Sequence, residues 1–306
     1  METGVDANGG RAAIHLTQAP TRVVSLVPSV TESLFDLGLA DRLVGITDYC
    51  VHPAAGVARL PRIGGTKNPD LDRIVALRPD LVIANQEENR EQDVLGLEAA
   101  GVRVWVTFPR TVAEAIEVLW AMIRVFNVPR EAFKIKTLEQ TLEWAARSAI
   151  GRSPIRVFVP IWRDVHHDPP AWWMTVNRQT YVHSLLEACG AENVFAYRAR
   201  RYPLAADLGR EDLAVDESDE GKDTRYPRVA AEEIIRAGPQ MILLPSEPYE
   251  FGEDDVALVR AVFAETPAVQ SGKIHRVDGS LLTWHGTRLA RALAELPGLF
   301  EGGGKG

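Results

Sequence analysis

The feature that most constrains this chain is a change of rhythm near its middle. Before it, "RVVSLVPS" (22–29), "LVGITD" (43–48), "PDLVIAN" (79–85) and "VRVWVTF" (102–108) read as strands, with helices over 29–38, 69–77 and 90–101 between them. Continuous Val/Ile/Leu strands that alternate with helices predict a parallel sheet covered on both faces. From Thr111 to Ile150 the strand signal stops, and two amphipathic helices follow over 111–126 and 130–150. The second would span ~30 Å at 1.5 Å per residue, about the diameter of a small domain. Alternation then resumes, with strands at 155–162, 239–247 and 273–279 and helices at 180–190, 229–238, 253–265 and 286–296. The charge-dense tract 208–227 reads as a surface loop. The organisation expected is therefore an N-terminal α/β lobe (1–110), a helical connecting segment (111–150) and a C-terminal α/β lobe (151–306).

Two segments echo each other across the divide. "LDRIVALRPDLVIANQEENREQDV" (71–94) resembles "AAEEIIRAGPQMILLPSEPYEFGEDDV" (230–256). Each runs from a helix through a proline (Pro79, Pro239) into an apolar strand, a Glu-rich turn and an acidic helix start. Aligning Val94 with Val256 pairs Glu91 with Glu253 and requires a small insertion. The echo supports two lobes of related design. Ligands of open α/β sheets bind beyond the carboxyl ends of the strands, so two facing lobes would place a cleft there.

Composition excludes some function classes. The 306 residues carry a net charge of −8, and "RARR" (198–201) is the only dense basic run, read as a solvated loop. Binding nucleic acid by phosphate neutralisation needs clustered Lys and Arg, so that partner is not expected. No apolar run approaches the ~18–20 residues of a membrane span. The first twenty residues lack the basic-then-apolar pattern of a signal peptide, which implies a cytoplasmic protein if Met1 is the native start. Cys50 and Cys189 read as buried thiols, with their pairing left open. No Cys/His zinc spacing, GxSxG, P-loop, GxGxxG or HExxH is present. The best enzymatic alternative is a chelatase-like protein, which would also have two α/β lobes and a cleft with His and Glu.

Four stretches carry a family resemblance: "RVVSLVPSVTESLFDLGLADRLVGITDYCVHP", "IGGTKNPDLDRIVALRPDLVIANQEEN", "PIWR…WWMTVNRQTYVHSLLEACGAENVFA" and "KIHRVDGSLLTWHGTRLARAL". In this order they resemble the class III substrate-binding proteins of ABC importers, receptors for cobalamin, ferric siderophores, haem and some free metals. The cobalamin-binding branch is the most similar. The resemblance implies two Rossmann-like lobes joined by a single long backbone helix, with the ligand cleft between the lobes. It implies a monomeric, non-enzymatic receptor with no intrinsic cofactor. The receptor would deliver a cobalt- or iron-containing chelate, a corrinoid first, to an importer permease outside the cytoplasm. Free Zn, Mn or Fe, a siderophore or haem are the alternative ligands of the same fold, and a cytoplasmic corrinoid-handling role is a further alternative. By position, Glu91 is implied to dock onto the permease, with Glu253 as its counterpart. Tyr49, in "DYCVHP", is implied to reach toward ligand. The chain departs from some relatives at Asn85, which stands where they have a pocket tryptophan, and "QEEN" replaces a glycine-containing turn. Contact there is expected to be polar.

The aromatics and histidines give the candidate contacts. Trp162, Trp172, Trp173, Tyr249, Phe251 and Trp284 fall at or just after strand ends, where aromatic side chains line concave sites for large flat ligands. Trp105, Trp120 and Trp144 are expected in the core. With Tyr49, His52 and Asn85, the expected ligand-binding set is completed by Trp162, Trp172, Trp173, Tyr249 and Trp284. His52, His166, His167 and His285 lie on loops at strand ends and are the candidate metal ligands. The adjacent His166 and His167 point apart on any regular backbone, so one of them at most is expected to ligate. His183 is expected to pack.

Overall fold

The computed structural model describes residues 18–214 and 221–301; positions 215–220 of the expected surface loop, and the start of the chain, lie outside the described residues. The chain divides into two compact units. The first combines the residues up to Pro109 with Ala113–Gln140 and Trp284–Ala290. The second combines Arg110–Val112, Thr141–Thr283 and the residues from Arg291 onward.

The first unit opens with β1 (Val23–Ser25), α1 (Pro28–Asp36) and β2 (Leu43–Ile46). It continues through α2 (Leu71–Ala76), β3 (Leu81–Asn85), α3 (Glu91–Ala99) and β4 (Val104–Thr107). These strands form one parallel sheet in the order β2-β1-β3-β4. Every residue of β1 and β3 is buried, as continuous apolar runs require of strands covered on both faces. Local signals set the helix ends. The Asp70 carboxylate accepts from Arg73 N and caps α2, while Gly38, at φ +70°, ends α1 in the left-handed region. Val24, Ile74, Val82, Ala84, Val94 and Leu97 form the core of this unit.

The helices α4 (Val112–Val125) and α5 (Ala132–Ala149) follow. The chain passes from the first unit to the second within α5, between Gln140 and Thr141. With 18 residues, α5 spans ~27 Å. Its Trp144, expected in the core, is 66% exposed and is corrected to the surface. The amphipathic pattern around it is broken by neighbouring charges, and Arg147 and Glu143 pair on the same exposed stretch.

The second unit repeats the plan of the first. Its strands are β5 (Ile155–Phe158), then the short β6 (Trp162–Arg163) and β7 (Trp173–Met174). After α6 (Tyr181–Ala188) come β8 (Ala191–Asn193), β9 (Arg228–Val229), α7 (Ala231–Ala237) and β10 (Met241–Pro245). The unit closes with α8 (Glu253–Val262), β11 (Ile274–Val277) and α9 (Leu289–Glu301). The main sheet is parallel, in the order β8-β5-β10-β11. In chain order both main sheets therefore read second, first, third, fourth. That order reverses between the first and third strands, the switch point outside whose carboxyl ends open α/β sheets bind ligands. The echo seen in the sequence is real at this level: β3 and β10 are both third strands, and Glu91 and Glu253 are both the first residues of the helices that follow.

Three expectations shift. The strand at 155–162 stops at Phe158, and Trp162–Arg163 joins a separate three-stranded antiparallel sheet, β9-β7-β6. Pro160 has no N–H for a ladder, and strands of two residues leave no alternation to read. The last helix starts at Leu289 rather than 286, and Trp284–Ala290, expected in the C-terminal lobe, belongs to the first unit. Gly286 explains both. It sits at φ +97°, so close to α1 that a Cβ would lie 2.3 Å from Ser33 Oγ. Finally, Arg198 of "RARR" is not solvated: it pairs with the fully buried Asp207 at 3.0 Å and with Glu233 at 2.9 Å. Cys50 and Cys189 are both buried and free, and burial pushes the Cys189 thiol up to about 12.

Candidate functional site

At the carboxyl edge of the first unit, Asn85 ends β3 and is buried. Its Oδ1 accepts from the backbone N–H of Glu87 at 2.8 Å and of Glu88 at 3.3 Å. Its own N–H donates to Asn89 Oδ1 at 2.7 Å. With Oδ1 so occupied, Nδ2 is the group 3.3 Å from His285 Nε2. The imidazole therefore accepts at Nε2 and carries its proton on Nδ1. Burial holds His285 down to about 4, so it is neutral at physiological pH. The amide of Asn85, expected as a polar ligand contact, is engaged by the following turn and by His285. That turn is the "QEEN" segment, fastened from its far end by Asn89 Nδ2 donating to Leu26 O and Thr66 O.

The same edge holds Trp284. The Arg288 guanidinium lies over its ring at 4.8 Å, and the His52 ring meets it edge-on at 5.8 Å. Arg288 is itself fixed by two hydrogen bonds to Glu32, at 2.7 and 2.6 Å. The neighbouring Thr287 N–H donates to Ser33 Oγ at 3.1 Å, so the whole 284–288 turn is tied to α1. Trp284 and His52 keep partial exposure, and Tyr49 is 62% exposed. Of the expected set, the first unit thus presents Tyr49, His52 and Trp284 and encloses Asn85 and His285.

The second unit finishes its edge with aromatic rings. Trp162 meets Tyr249 edge-on at 5.4 Å, Tyr249 packs on Phe251 at 4.6 Å, and Phe251 stacks on Trp173 at 6.3 Å. Exposure falls along this series from 39% at Trp162 to 0% at Trp173. Trp173, expected to face ligand, is fully buried in the core with Phe158, Phe251 and Phe263. Trp172, the residue just before β7, is half-buried, with the Arg228 guanidinium 6.0 Å from its ring. Tyr249 is backed by Arg163 at 5.4 Å, whose Nε donates to Asp255 Oδ1 at 2.6 Å. The other oxygen of Asp255 accepts from Gly252 N and caps α8.

The loop between β6 and β7 is organised by Asp164. Its buried carboxylate accepts from His166 N at 2.9 Å, Ala171 N at 3.2 Å and His167 Nδ1 at 2.6 Å. The His166 backbone N–H and then the other donors hold this carboxyl below its usual range. His166 and His167 are both exposed. Among the described residues, no three His, Cys, Asp or Glu side chains stand where they could hold a metal ion. Glu91 and Glu253 are exposed, and Glu253 pairs with Arg276 at 2.6 Å.

Four contributors escaped the sequence reading: Glu32, Arg288, Asp164 and the Arg163–Asp255 pair. Two had a local signal, since Arg288 follows Trp284 by four residues and Asp164 precedes His167 by three. Glu32 lies 256 residues from Arg288, and that distance leaves no pattern to read.

Comparison with known proteins gives a consistent set. A family model described as periplasmic binding protein matches residues 23–281. The vitamin B12-binding protein of Photorhabdus laumondii is 24% identical over 245 residues, 80% of this chain and 76% of that protein. The crystal structure of the periplasmic vitamin B12 binding protein of Vibrio cholerae superposes with a TM-score of 0.71 at 21% identity, covering 92% of this chain and 97% of that one. A periplasmic heme binding protein from Pseudomonas aeruginosa superposes with a TM-score of 0.70 at 22% identity, covering 94% of each chain.

Proposed function

The chain belongs to the periplasmic binding protein family, and on that premise we propose that it binds a flat metal chelate, a corrinoid first, and carries it to an ABC-importer permease. The observation that carries this reading is the set of part-exposed aromatics at the carboxyl edges of both sheets: Trp284 with His52, and Trp162 with Tyr249. Rings held in place by packing offer a large apolar contact area at little entropic cost, which suits a macrocycle better than a small polar solute. The relatives named vitamin B12-binding proteins support the corrinoid as the first choice. The work is that of a carrier rather than a catalyst, and the cobalt or iron belongs to the cargo. Glu91 and Glu253, exposed at equivalent helix starts, are the permease contacts in this reading.

Isothermal titration of the full chain with cyanocobalamin, cobinamide, haemin and a ferric siderophore tests the proposal. Binding of one chelate at a Kd of about 1 µM or below is the expected result. Tight Zn or Mn binding with no chelate bound would overturn it. For docking, Glu91→Ala and Glu253→Ala should lose transport in a reconstituted system while chelate affinity stays at the parent value.

A further inference from the structure

Three aromatic rings of the candidate set share one arrangement. The Arg288 guanidinium lies over Trp284 at 4.8 Å, and its Nε and Nη2 donate to the two oxygens of Glu32 on α1. Arg163 lies over Tyr249 at 5.4 Å, and its Nε donates to Asp255 Oδ1 on α8. Arg228 lies over Trp172 at 6.0 Å, and its Nε stands 3.3 Å from Asp207 Oδ2. The first set is built within the first unit and the other two within the second. All three rings keep accessible surface, while Arg288, Asp255 and Asp207 are buried and Glu32 is part-buried. Asp207 also takes Arg198, which Glu233 pairs in turn, so two arginines there are matched by two carboxylates.

A guanidinium over a ring is attracted by the ring's quadrupole and fixes its plane. Its charge then reaches a ligand unless a carboxylate has balanced it. Each of these three arginines has such a carboxylate, in two-pronged geometry for Arg288. The rings are therefore held firmly and the sets carry no net charge. In the first unit the turn after β3 adds Glu87, Glu88 and Lys67, whose ammonium donates to the Glu87 carbonyl, for a net negative charge. A ligand carboxylate brought against these rings gives up its hydration, and none of the three arginines has charge to spare for it. The net charge of −8 repels it at longer range. An amide or ester fringe loses far less hydration and is not repelled. Discrimination of this kind works against the charged competitor rather than for the preferred ligand.

We infer that the three ring–arginine–carboxylate sets select a chelate whose periphery is uncharged, with Glu32, Asp255 and Asp207 as positioning residues that act through their arginines. The inference rests on the chelate-binding reading and narrows it to ligands fringed by amides or esters instead of carboxylates.

The test uses pairs of probes with the same metal and ring and a different fringe. Dicyanocobinamide carries amides where dicyanocobyrinic acid carries carboxylates, and haemin dimethyl ester masks the two propionates of haemin. Absorption titrations of the full chain at neutral pH should give at least about tenfold tighter binding of the uncharged member in the pair that binds. Glu32→Gln keeps the side-chain shape and leaves the Arg288 charge unbalanced. It should narrow that preference about tenfold, and high salt should cancel most of the narrowing. Glu32→Asp, which keeps the charge, should keep the preference, and far-UV circular dichroism of both variants should match the parent. A merely structural role for Glu32 would weaken both members alike and leave their ratio unchanged, which would overturn its assignment. The comparison on the parent chain needs no variant. Equal or tighter binding of the carboxylate member there would overturn the inference while chelate binding stands. Failure of every probe to bind the parent would overturn both.

Discussion

Where the third strand of the first unit ends, Asn85 accepts hydrogen bonds from Glu87 and Glu88, donates one to Asn89 and meets a neutral, buried His285. Where the third strand of the second unit ends, at Pro245, the chain runs on into Tyr249 and Phe251, rings that lead inward to Trp173. Strand order and the helix start that follows are the same in both. One topology thus supports two opposite ways of making a rigid edge. The polar edge is held by directional bonds that fail when one partner is lost; the aromatic edge is held by packing that fails in proportion to the volume removed. Each edge also has an arginine behind an aromatic ring, Arg288 behind Trp284 and Arg163 behind Tyr249, and each arginine is fixed by a carboxylate.

The inner end of the aromatic series should be the most sensitive point. Trp173→Ala removes a fully buried ring from the core and should cost about 4 kcal/mol. Urea unfolding would measure it as a lower midpoint at unchanged slope. A loss below about 1 kcal/mol would show that the core collapses onto the vacated space, and the contrast between packing and bonding would fail.

On the polar edge the corresponding lever is pH. An unfolded histidine titrates near 6.5, and burial holds His285 down to about 4 in the fold. Between those values the unfolded chain binds a proton that the fold refuses, so stability rises with pH. The contribution is complete above about 6.5, declines as pH falls, and levels off below about 4, for a total on the order of 3 kcal/mol. His285→Gln should flatten that part of the curve, which unfolding midpoints at intervals from pH 7.5 to 4 would show. Parallel curves for parent and variant would mean that His285 takes up its proton in the fold without cost.

Asn85→Ala tests the bonds themselves. It strips an acceptor from two backbone N–H groups and a donor from His285, and should cost about 2 kcal/mol. Restoration of stability by Asn85→Asp at neutral pH would assign most of that loss to the acceptor side, since a carboxylate keeps Oδ1 but cannot donate to His285.

How much of this was legible beforehand follows from the range of each interaction. The two parallel sheets were readable because a strand buried on both faces must be apolar along its length, as β3 and β10 are. The helix starts Glu91 and Glu253 were readable because the tracts repeat. The direction of a side chain at a two-residue strand was not: Trp172 and Trp173 are the same residue type side by side, and only the pairing of Trp173 with Val229 and Arg163 fixes which faces inward. The burial of Asn85 was hidden for a related reason, since polar residues at strand ends are ordinary, and its partner His285 lies 200 residues away.

The smallest expected change is at the outer end of the aromatic series, and it sharpens the comparison most. Trp162 keeps 39% exposure and meets Tyr249 of the series edge-on at 5.4 Å. Trp162→Ala therefore gives up an edge contact and part of its buried area, about 1 kcal/mol of stability. If the ring is part of the chelate wall, affinity for the chelate that binds should fall about tenfold or more, because a ring that the fold barely uses is left to serve the ligand. Titration and urea unfolding of the same variant separate the two effects. Unchanged affinity with a stability loss as large as that of Trp173→Ala would place Trp162 in the core series rather than on the binding edge. Only the polar edge of the first unit, with Trp284 and His52, would then remain to carry the ligand.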